Sequence, residues 1–82
     1  MSEKKSNIGI VKAVEGSVVV VYFEKKLPPI YTKLVCNLDN EKQIVVEVED
    51  HIDTHHIRGV AITSTQGLSR GDEMIDTDGP LT

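Results

Sequence analysis

Aromatic side chains are scarce in this sequence, which has no Trp, two Tyr and one Phe among its 82 residues. Proteins that bind single-stranded nucleic acid stack the bases on aromatic rings inside a basic groove. Here Asp and Glu number 13 and Lys and Arg number 9, so the net charge is -4. Nucleic-acid surfaces are expected to carry the opposite balance. Both shortages argue against nucleic acid as a partner.

The sequence also contains little cysteine and no long apolar run. Cys36 is the one cysteine, so an internal disulfide is excluded, and we expect a buried thiol in a protein of a reducing compartment. No apolar run approaches the roughly 18 residues that a bilayer-spanning segment needs. The polar N-terminus lacks the apolar stretch of a signal peptide. We therefore expect no direct insertion into a membrane.

Catalytic and nucleotide-binding patterns are missing as well. The six glycines are scattered singly, and no Gly-x-x-x-x-Gly-Lys-Ser/Thr segment is present to hold phosphates. No nucleophile, base and orienting group can be assembled from the spacing of the polar residues. The sequence therefore predicts a domain that is not itself an enzyme and that binds no cofactor.

The sequence does contain six short β-like runs. Their apolar spacing is 2 or continuous and seldom 3.6, and they cover residues 8–14, 18–23, 34–38, 43–49, 57–62 and 72–76. Turn residues separate them, including Gly16, Asp39-Asn40-Glu41 and Gly67. We predict a flexible tail over 1–7, a β-domain over 8–77, and the start of a linker over 78–82. A closed barrel has no sheet edges to pair with other chains, so the prediction is an all-β fold, a small six-stranded closed antiparallel β-barrel. A thin β-sandwich is the alternative.

The second run is apolar on both of its faces. Alternate residues form two rows, which are Val18, Val20 and Tyr22 and then Val19, Val21 and Phe23. A small barrel has one interior, so one row has to point outward, and an exposed apolar row marks a partner surface. We assign Val19, Val21 and Phe23 to that surface as subunit-interface residues. In the alternative, the loop that contains Pro28 and Pro29 folds back over the row.

Arg58 and Arg70 are the arginines with a conceivable recognition role. A guanidinium can form two hydrogen bonds to a carboxylate across a subunit boundary, and we add Arg58 to the predicted interface. The alternative for Arg58 is an ordinary solvated side chain. We interpret Arg70, within Arg70-Gly71-Asp72, as part of a turn.

The densest polar cluster is the segment 51–56. His51, Asp53 and His55 would share one face of an extended chain, and imidazole and carboxylate groups suit zinc or nickel. Such residues are nearly 7 Å apart along a strand, too far for short ligand bonds without a turn. We therefore predict a solvated loop and no metal site.

An ordered set of residues carries a family resemblance. The set covers about residues 8–81 and comprises Ile10-Val11, Val14, Gly16, Val18-Val19, Phe23, Leu27-Pro28-Pro29-Ile30-Tyr31, Val46-Glu47-Val48, His51, Arg58, Ala61, Thr65-Gln66-Gly67-Leu68-Ser69-Arg70-Gly71, Asp76-Thr77 and Gly79-Pro80-Leu81. It resembles the N-terminal β-barrel of the F-type ATP synthase beta subunit. The Leu-Pro-Pro-Ile loop favours beta over the alpha subunit, whose barrel lacks it. Val20, where the family often has Asp, and Asp78, where Gly is common, depart from the pattern.

The resemblance implies a place in a larger assembly. Three such barrels alternate with three from alpha subunits in a crown on the catalytic hetero-hexamer of a rotary motor that makes or hydrolyses ATP. The parent subunit would bind Mg-ATP outside this chain, and the head would be cytoplasmic and peripheral to the membrane. The match extends to the alternative, sodium-translocating branch of these synthases. The alternatives are the equivalent barrel of a flagellar, secretion-type or V-type ATPase, and a stand-alone module that resembles an oligonucleotide-binding barrel.

Overall fold

The computed structural model describes residues 7–38 and 42–77, which form six strands and contain no helix. The strands are β1 Ile8–Glu15, β2 Val18–Phe23, β3 Lys33–Asn37, β4 Gln43–His51, β5 His56–Ala61 and β6 Glu73–Asp76. All the neighbouring pairs are antiparallel, and the sheet closes in the order β1-β2-β5-β4-β3-β6. The predicted six-stranded closed antiparallel barrel is confirmed.

The barrel interior is filled mainly by apolar side chains from alternating strand positions. In β4 this alternation is regular, with Ile44, Val46 and Val48 fully buried and Gln43 and Glu49 exposed. Among the described residues, the buried apolar cluster consists of Val11, Val19, Val21, Phe23, Leu34, Cys36, Ile44, Val46, Val48, Ile57 and Met74. Burial of one such side chain contributes about 1.5–3 kcal/mol, so this single cluster is the main source of stability.

Two glycines make room for their neighbours inside this core. Gly9 pairs with Phe23 across β1 and β2, and a Cβ at Gly9 would lie 2.6 Å from both Phe23 Cζ and Val21 Cγ1. A Cβ at Gly59 would lie 2.5 Å from a Val46 methyl group and 2.8 Å from the Glu47 carbonyl oxygen. Any larger residue at either position requires the core to move.

Asn7, the last residue of the predicted tail, is hydrogen-bonded to the barrel. It pairs with two separate segments of the chain. Its side-chain amide donates to the Lys26 carbonyl at 2.9 Å and to the Asp76 carboxylate at 3.2 Å. Its own carbonyl accepts from the backbone N–H of Asp76 at 2.9 Å. The rest of the predicted tail, the turn at 39–41 and the predicted linker at 78–82 lie outside the described residues.

The long loop between β2 and β3 is fastened to β4. The backbone N–H of Tyr31 donates to the Val48 carbonyl at 2.8 Å, and the N–H of Val48 donates to the Thr32 carbonyl at 2.9 Å. Tyr31 has a φ of 78°, a left-handed conformation that costs a non-glycine residue about 1–3 kcal/mol. Pro28 is fully buried. The two backbone bonds to β4 and the buried proline therefore hold the loop in this strained form.

Candidate subunit interface

The prediction that Val19, Val21 and Phe23 point outward is wrong. All three side chains are 0% exposed and belong to the core. The reason lies on the neighbouring strand, where Gly9 leaves the space that the Phe23 ring fills. Because both rows of β2 are apolar, the alternation of β2 alone could not show which row is inside.

The outward row of β2 therefore consists of Val18, Val20 and Tyr22. Val18 is 37% exposed, and the other two are half-buried. The Tyr22 ring is covered by groups of its own chain. It stacks on the His55 ring at 5.7 Å between centroids, lies 5.4 Å from the His56 ring, and has the Lys12 ammonium 5.5 Å from its centroid. The Tyr22 end of this row is thus covered by side chains of the same chain.

The Pro-Pro loop is hydrogen-bonded to β4. Besides the backbone bonds to β4, the His51 ring contributes Nε2, 2.7 Å from the Pro28 carbonyl oxygen. Since a carbonyl can only accept, His51 donates through Nε2–H. These contacts place the loop against β4, and the β4–β5 hairpin with Lys12 is what partly covers the β2 row.

Arg58 lies on the outer surface of β5, opposite Val20 of β2 and Asp50 of β4. Its guanidinium donates to the Asp50 carboxylate at 2.8 Å, and both side chains are 51% exposed. Exposed ion pairs of this kind contribute about 0.2–1 kcal/mol. The partner of Arg58 in this chain is Asp50, and a role across a subunit boundary stays a prediction.

The polar cluster at 51–56 is organised around Asp53. The Asp53 Oδ1 atom accepts from the backbone N–H groups of His55 at 2.9 Å and His56 at 2.8 Å, and lies 2.9 Å from His56 Nδ1. The hydrogen bond from the His55 N–H, followed by that from the His56 ring, lowers the pKa of Asp53. His51 points instead to Pro28. In 7–38 and 42–77, no group of three or more His, Cys, Asp or Glu residues is placed to hold a metal ion.

Cys36 is buried and Arg70 lies in a turn, as the sequence analysis predicted. The Cys36 side chain is 3% exposed, and burial, then the charges of Asp72 and Glu73, raise the pKa of its thiol. Arg70 is exposed in a tight turn in which Asp72 Oδ2 accepts from the Ser69 N–H at 2.8 Å. The turn interpretation of this segment is confirmed, and the thiol is a small core group.

A second outward apolar row was missed by the sequence analysis. It crosses four strands, because Ile8 pairs with Ile75, Ile75 with Val35, and Val35 with Val45. Ile8 is 45% exposed, and the other three side chains are half-buried. The signal was present in Val45, an apolar residue on the polar side of the β4 alternation. Val45 could be assigned to a row only from the strand order, which places β6 between β1 and β3. We call Ile8, Ile75, Val35 and Val45 the β6 row.

Comparison with known proteins assigns the barrel to a family. The profile described as "ATP synthase alpha/beta family, beta-barrel domain" matches residues 11–78. The chain is 49% identical over 75 residues, 92% of its length, to ATP synthase subunit beta 2 of Polaromonas naphthalenivorans (strain CJ2), and covers 15% of that protein. It is 47% identical over 73 residues, 89% of its length, to ATP synthase subunit beta 2 of Chlorobium luteolum (strain DSM 273 / BCRC 81028 / 2530), again covering 15%.

These relatives are much longer than the chain. For a further one, ATP synthase subunit beta 1 of Marinomonas sp. (strain MWYL1), the identity is 42% over an alignment of 85 positions that covers 98% of this chain and 17% of that protein. The chain thus spans about a sixth of the length of the curated relatives it matches. None of the described segments forms a helix of the length and apolarity required to cross a membrane.

Proposed function

The chain belongs to the ATP synthase alpha/beta family, as the N-terminal β-barrel of a beta subunit, and from this premise we propose that it organises a hexamer of alternating alpha and beta subunits. The parent assembly would be a rotary motor that makes or hydrolyses ATP. In this proposal the barrel contributes contacts between neighbouring subunits and takes no part in the chemistry.

The observation that carries the proposal is the apolar outer surface of a closed barrel. A buried apolar cluster of described residues already fills the interior, so the fold itself does not require the outward side chains Ile8, Ile75 and Val18 to be apolar. Outward apolar side chains rimmed by polar ones are typical of a protein contact. A module that holds subunits together needs such a surface, whereas a catalytic domain needs a concave site.

The proposal places nucleotide chemistry outside this chain. A phosphate-binding loop needs closely spaced glycines followed by Lys and Ser or Thr, and these 82 residues contain no such segment. Mg-ATP would be held by other parts of the parent subunit. As part of the catalytic head, the barrel would lie in the cytoplasm at the membrane periphery. The sodium-translocating branch stays a prediction.

Binding to a purified alpha subunit of an F-type synthase tests this function. The fluorescently labelled chain is titrated with the alpha subunit, and complex formation is followed by anisotropy and by mass. A one-to-one mixed complex is expected, together with no binding of Mg-ATP by the chain alone in calorimetry. Absence of the mixed complex would contradict the assembly role, and tight binding of Mg-ATP would contradict the non-catalytic one.

A further inference from the structure

The pairing between β3 and β6 is the shortest in the barrel. The pairs β1–β2, β2–β5, β3–β4 and β4–β5 are each in register over five or more residue pairs. Strand β6 is four residues long, and among the described residues it is in register with β3 at Leu34–Asp76 and Val35–Ile75. A short ladder contributes few backbone hydrogen bonds and few cross-strand contacts. We call the boundary between β3 and β6 the seam.

A cavity separates the two strands at one end of the seam. The register ends at Val35–Ile75, and a cavity of about 450 Å³ follows, lined by Cys36 of β3 and by Asp72 and Glu73 at the start of β6. The charges of these two carboxylates, after burial, raise the pKa of the Cys36 thiol. The thiol therefore lies close to the start of β6, while its side chain is only 3% exposed.

The other end of the seam is closed by a single residue. Thr77 follows β6, and its hydroxyl donates to the carbonyl of Lys33, the first residue of β3, at 2.8 Å. The backbone N–H of Thr77 donates to the same carbonyl at 3.3 Å. The Thr77 hydroxyl thus adds a bond across a boundary that has few others.

On its opposite edge, β6 is paired with β1 over a longer stretch. The two strands share three register pairs, and backbone bonds extend this pairing at both ends. The Val11 N–H donates to the Asp72 carbonyl at 2.8 Å, and the Asp76 N–H donates to the Asn7 carbonyl at 2.9 Å. When one edge of β6 separates, we therefore expect it to be the edge that faces β3.

Separation at the seam would leave most of the core in place. The core side chains beside it are Leu34, Cys36 and Met74, whereas the buried side chains of β2, β4 and β5 lie elsewhere around the ring. Proteins open locally at a lower free energy than global unfolding where few bonds have to break. Opening of the seam would also expose far less surface than unfolding of the whole chain.

We propose that the seam is a conformational device of this barrel, which opens between β3 and β6 while β6 stays paired with β1 and the other strands stay folded. Opening turns the closed barrel into a sheet with two free edges and gives solvent access to Cys36. This inference goes beyond the proposed function and does not depend on it.

Reactivity of the thiol measures the opening. Cys36 is the one cysteine of the chain, so its reaction with a thiol-specific disulfide reagent reports on a single position. The rate in the native chain divided by the rate in the urea-unfolded chain gives the fraction of open molecules. We expect this fraction to exceed the globally unfolded fraction, extrapolated from urea unfolding, at least about tenfold. Its dependence on urea should be weaker, because that dependence scales with the surface exposed.

Three variants locate the opening. Thr77→Val removes the hydroxyl bond across the seam and should raise the native rate about fivefold. Thr65→Val is the matched control, because the Thr65 hydroxyl donates to the Gly16 carbonyl at 3.1 Å, away from the seam, and should stay within about twofold. Ile57→Val removes a core methylene from β5, opposite β6 in the ring. It should raise the global unfolding constant about fivefold and leave the native rate within about twofold.

The outcomes separate opening of the seam from other routes to the thiol. A native rate equal to that expected from global unfolding, with the same urea dependence, overturns the inference. A faster rate that Thr77→Val leaves unchanged also overturns it, because the reagent would reach Cys36 without opening the seam. Equal acceleration by Thr77→Val and Thr65→Val overturns the location. Failure of the chain to bind an alpha subunit would contradict the proposed function alone.

Discussion

A double-mutant cycle at Gly9 and Phe23 tests the packing that sets the two faces of the barrel. In Gly9→Ala the new methyl group would lie 2.6 Å from Phe23 Cζ and 2.6 Å from Val21 Cγ1. Phe23→Leu removes the ring atoms that the methyl group meets. The double mutant should therefore lose less stability than the sum of the losses in the two single mutants.

The expected magnitudes follow from the contacts. Overpacking lowers the free energy of unfolding by about 1–3 kcal/mol. Replacing glycine by alanine in a compatible backbone raises it by about 0.4–1 kcal/mol, because the unfolded chain loses conformational entropy. Gly9→Ala should thus lose about 1–2 kcal/mol. Phe23→Leu should also lose about 1–2 kcal/mol, less than the roughly 3–5 kcal/mol of Phe→Ala. Relief of the Phe23 contact should make the double mutant about 1 kcal/mol more stable than the sum. The Val21 contact remains and limits the relief.

Urea unfolding followed by circular dichroism measures the cycle. A coupling of 1 kcal/mol corresponds to a Tm about 4–8 °C above the additive value in a domain of this size. Gly59→Ala combined with Phe23→Leu is the matched control, because a methyl group at Gly59 would meet Val46 and the Glu47 backbone. That pair should be additive within about 0.5 kcal/mol. Additivity in the Gly9 pair as well would refute the argument that Phe23 fills the space left by Gly9.

Three further predictions concern orientation, pH and the thiol. Val21→Lys buries a charge in the core and should lower the free energy of unfolding by about 4 kcal/mol or more. Val20→Lys on the outer face should lower it by under about 1 kcal/mol, as measured by thermal unfolding. Similar losses of stability in the two variants would contradict the assigned faces. The hydrogen bond from the His55 N–H lowers the pKa of Asp53, so the stability it contributes is present above the unfolded pKa of about 4 and is lost as pH falls through the lower folded value. Asp53→Asn should flatten urea-unfolding stability across this range, and an unchanged pH profile would refute the role of these bonds. Cys36, buried and with a raised pKa, should react with a thiol-specific disulfide reagent at least about 100-fold more slowly in the native than in the urea-unfolded chain; comparable rates would show that the thiol is accessible.

Most of the fold could be predicted from local pattern. In β4 only one face carries an uninterrupted apolar series, so Ile44, Val46 and Val48 could be placed in the core directly. Gly16, which the sequence analysis named as a turn residue, lies in the β1–β2 turn with a φ of 60°, a conformation that glycine adopts readily. Six short strands with few aromatics then favoured closure over a sandwich.

The inside and outside of β2 could not be predicted in the same way. Val18 through Phe23 are all apolar, so the strand pattern is symmetric with respect to the two faces. The choice depends on a contact between strands, in which Phe23 lies over Gly9. Such a contact is set by register, which a single strand does not encode. The same reason explains why the β6 row was missed.

The polar segment 51–56 was predicted to be a loop, but the structure confines the loop to residues 52–55, because β4 ends at His51 and β5 begins at His56. The role of Asp53 as acceptor for two consecutive backbone N–H groups depends on turn geometry, which composition does not show. Likewise, the contact between His51 and the Pro28 carbonyl joins residues 23 positions apart. The family resemblance supplied the expected fold and partner, while these local bonds came only from the structure.

Native mass spectrometry of a hexamer that contains this barrel tests the central claim most directly. A beta subunit of a close relative, carrying this chain in place of its own barrel, is co-expressed with the matching alpha subunit. An alternating complex of three alpha and three beta subunits is predicted, and Val21→Lys, which disrupts the barrel core, should abolish it while Val20→Lys preserves it. A full yield of hexamer with the disrupted barrel would contradict the claim that this domain organises the assembly.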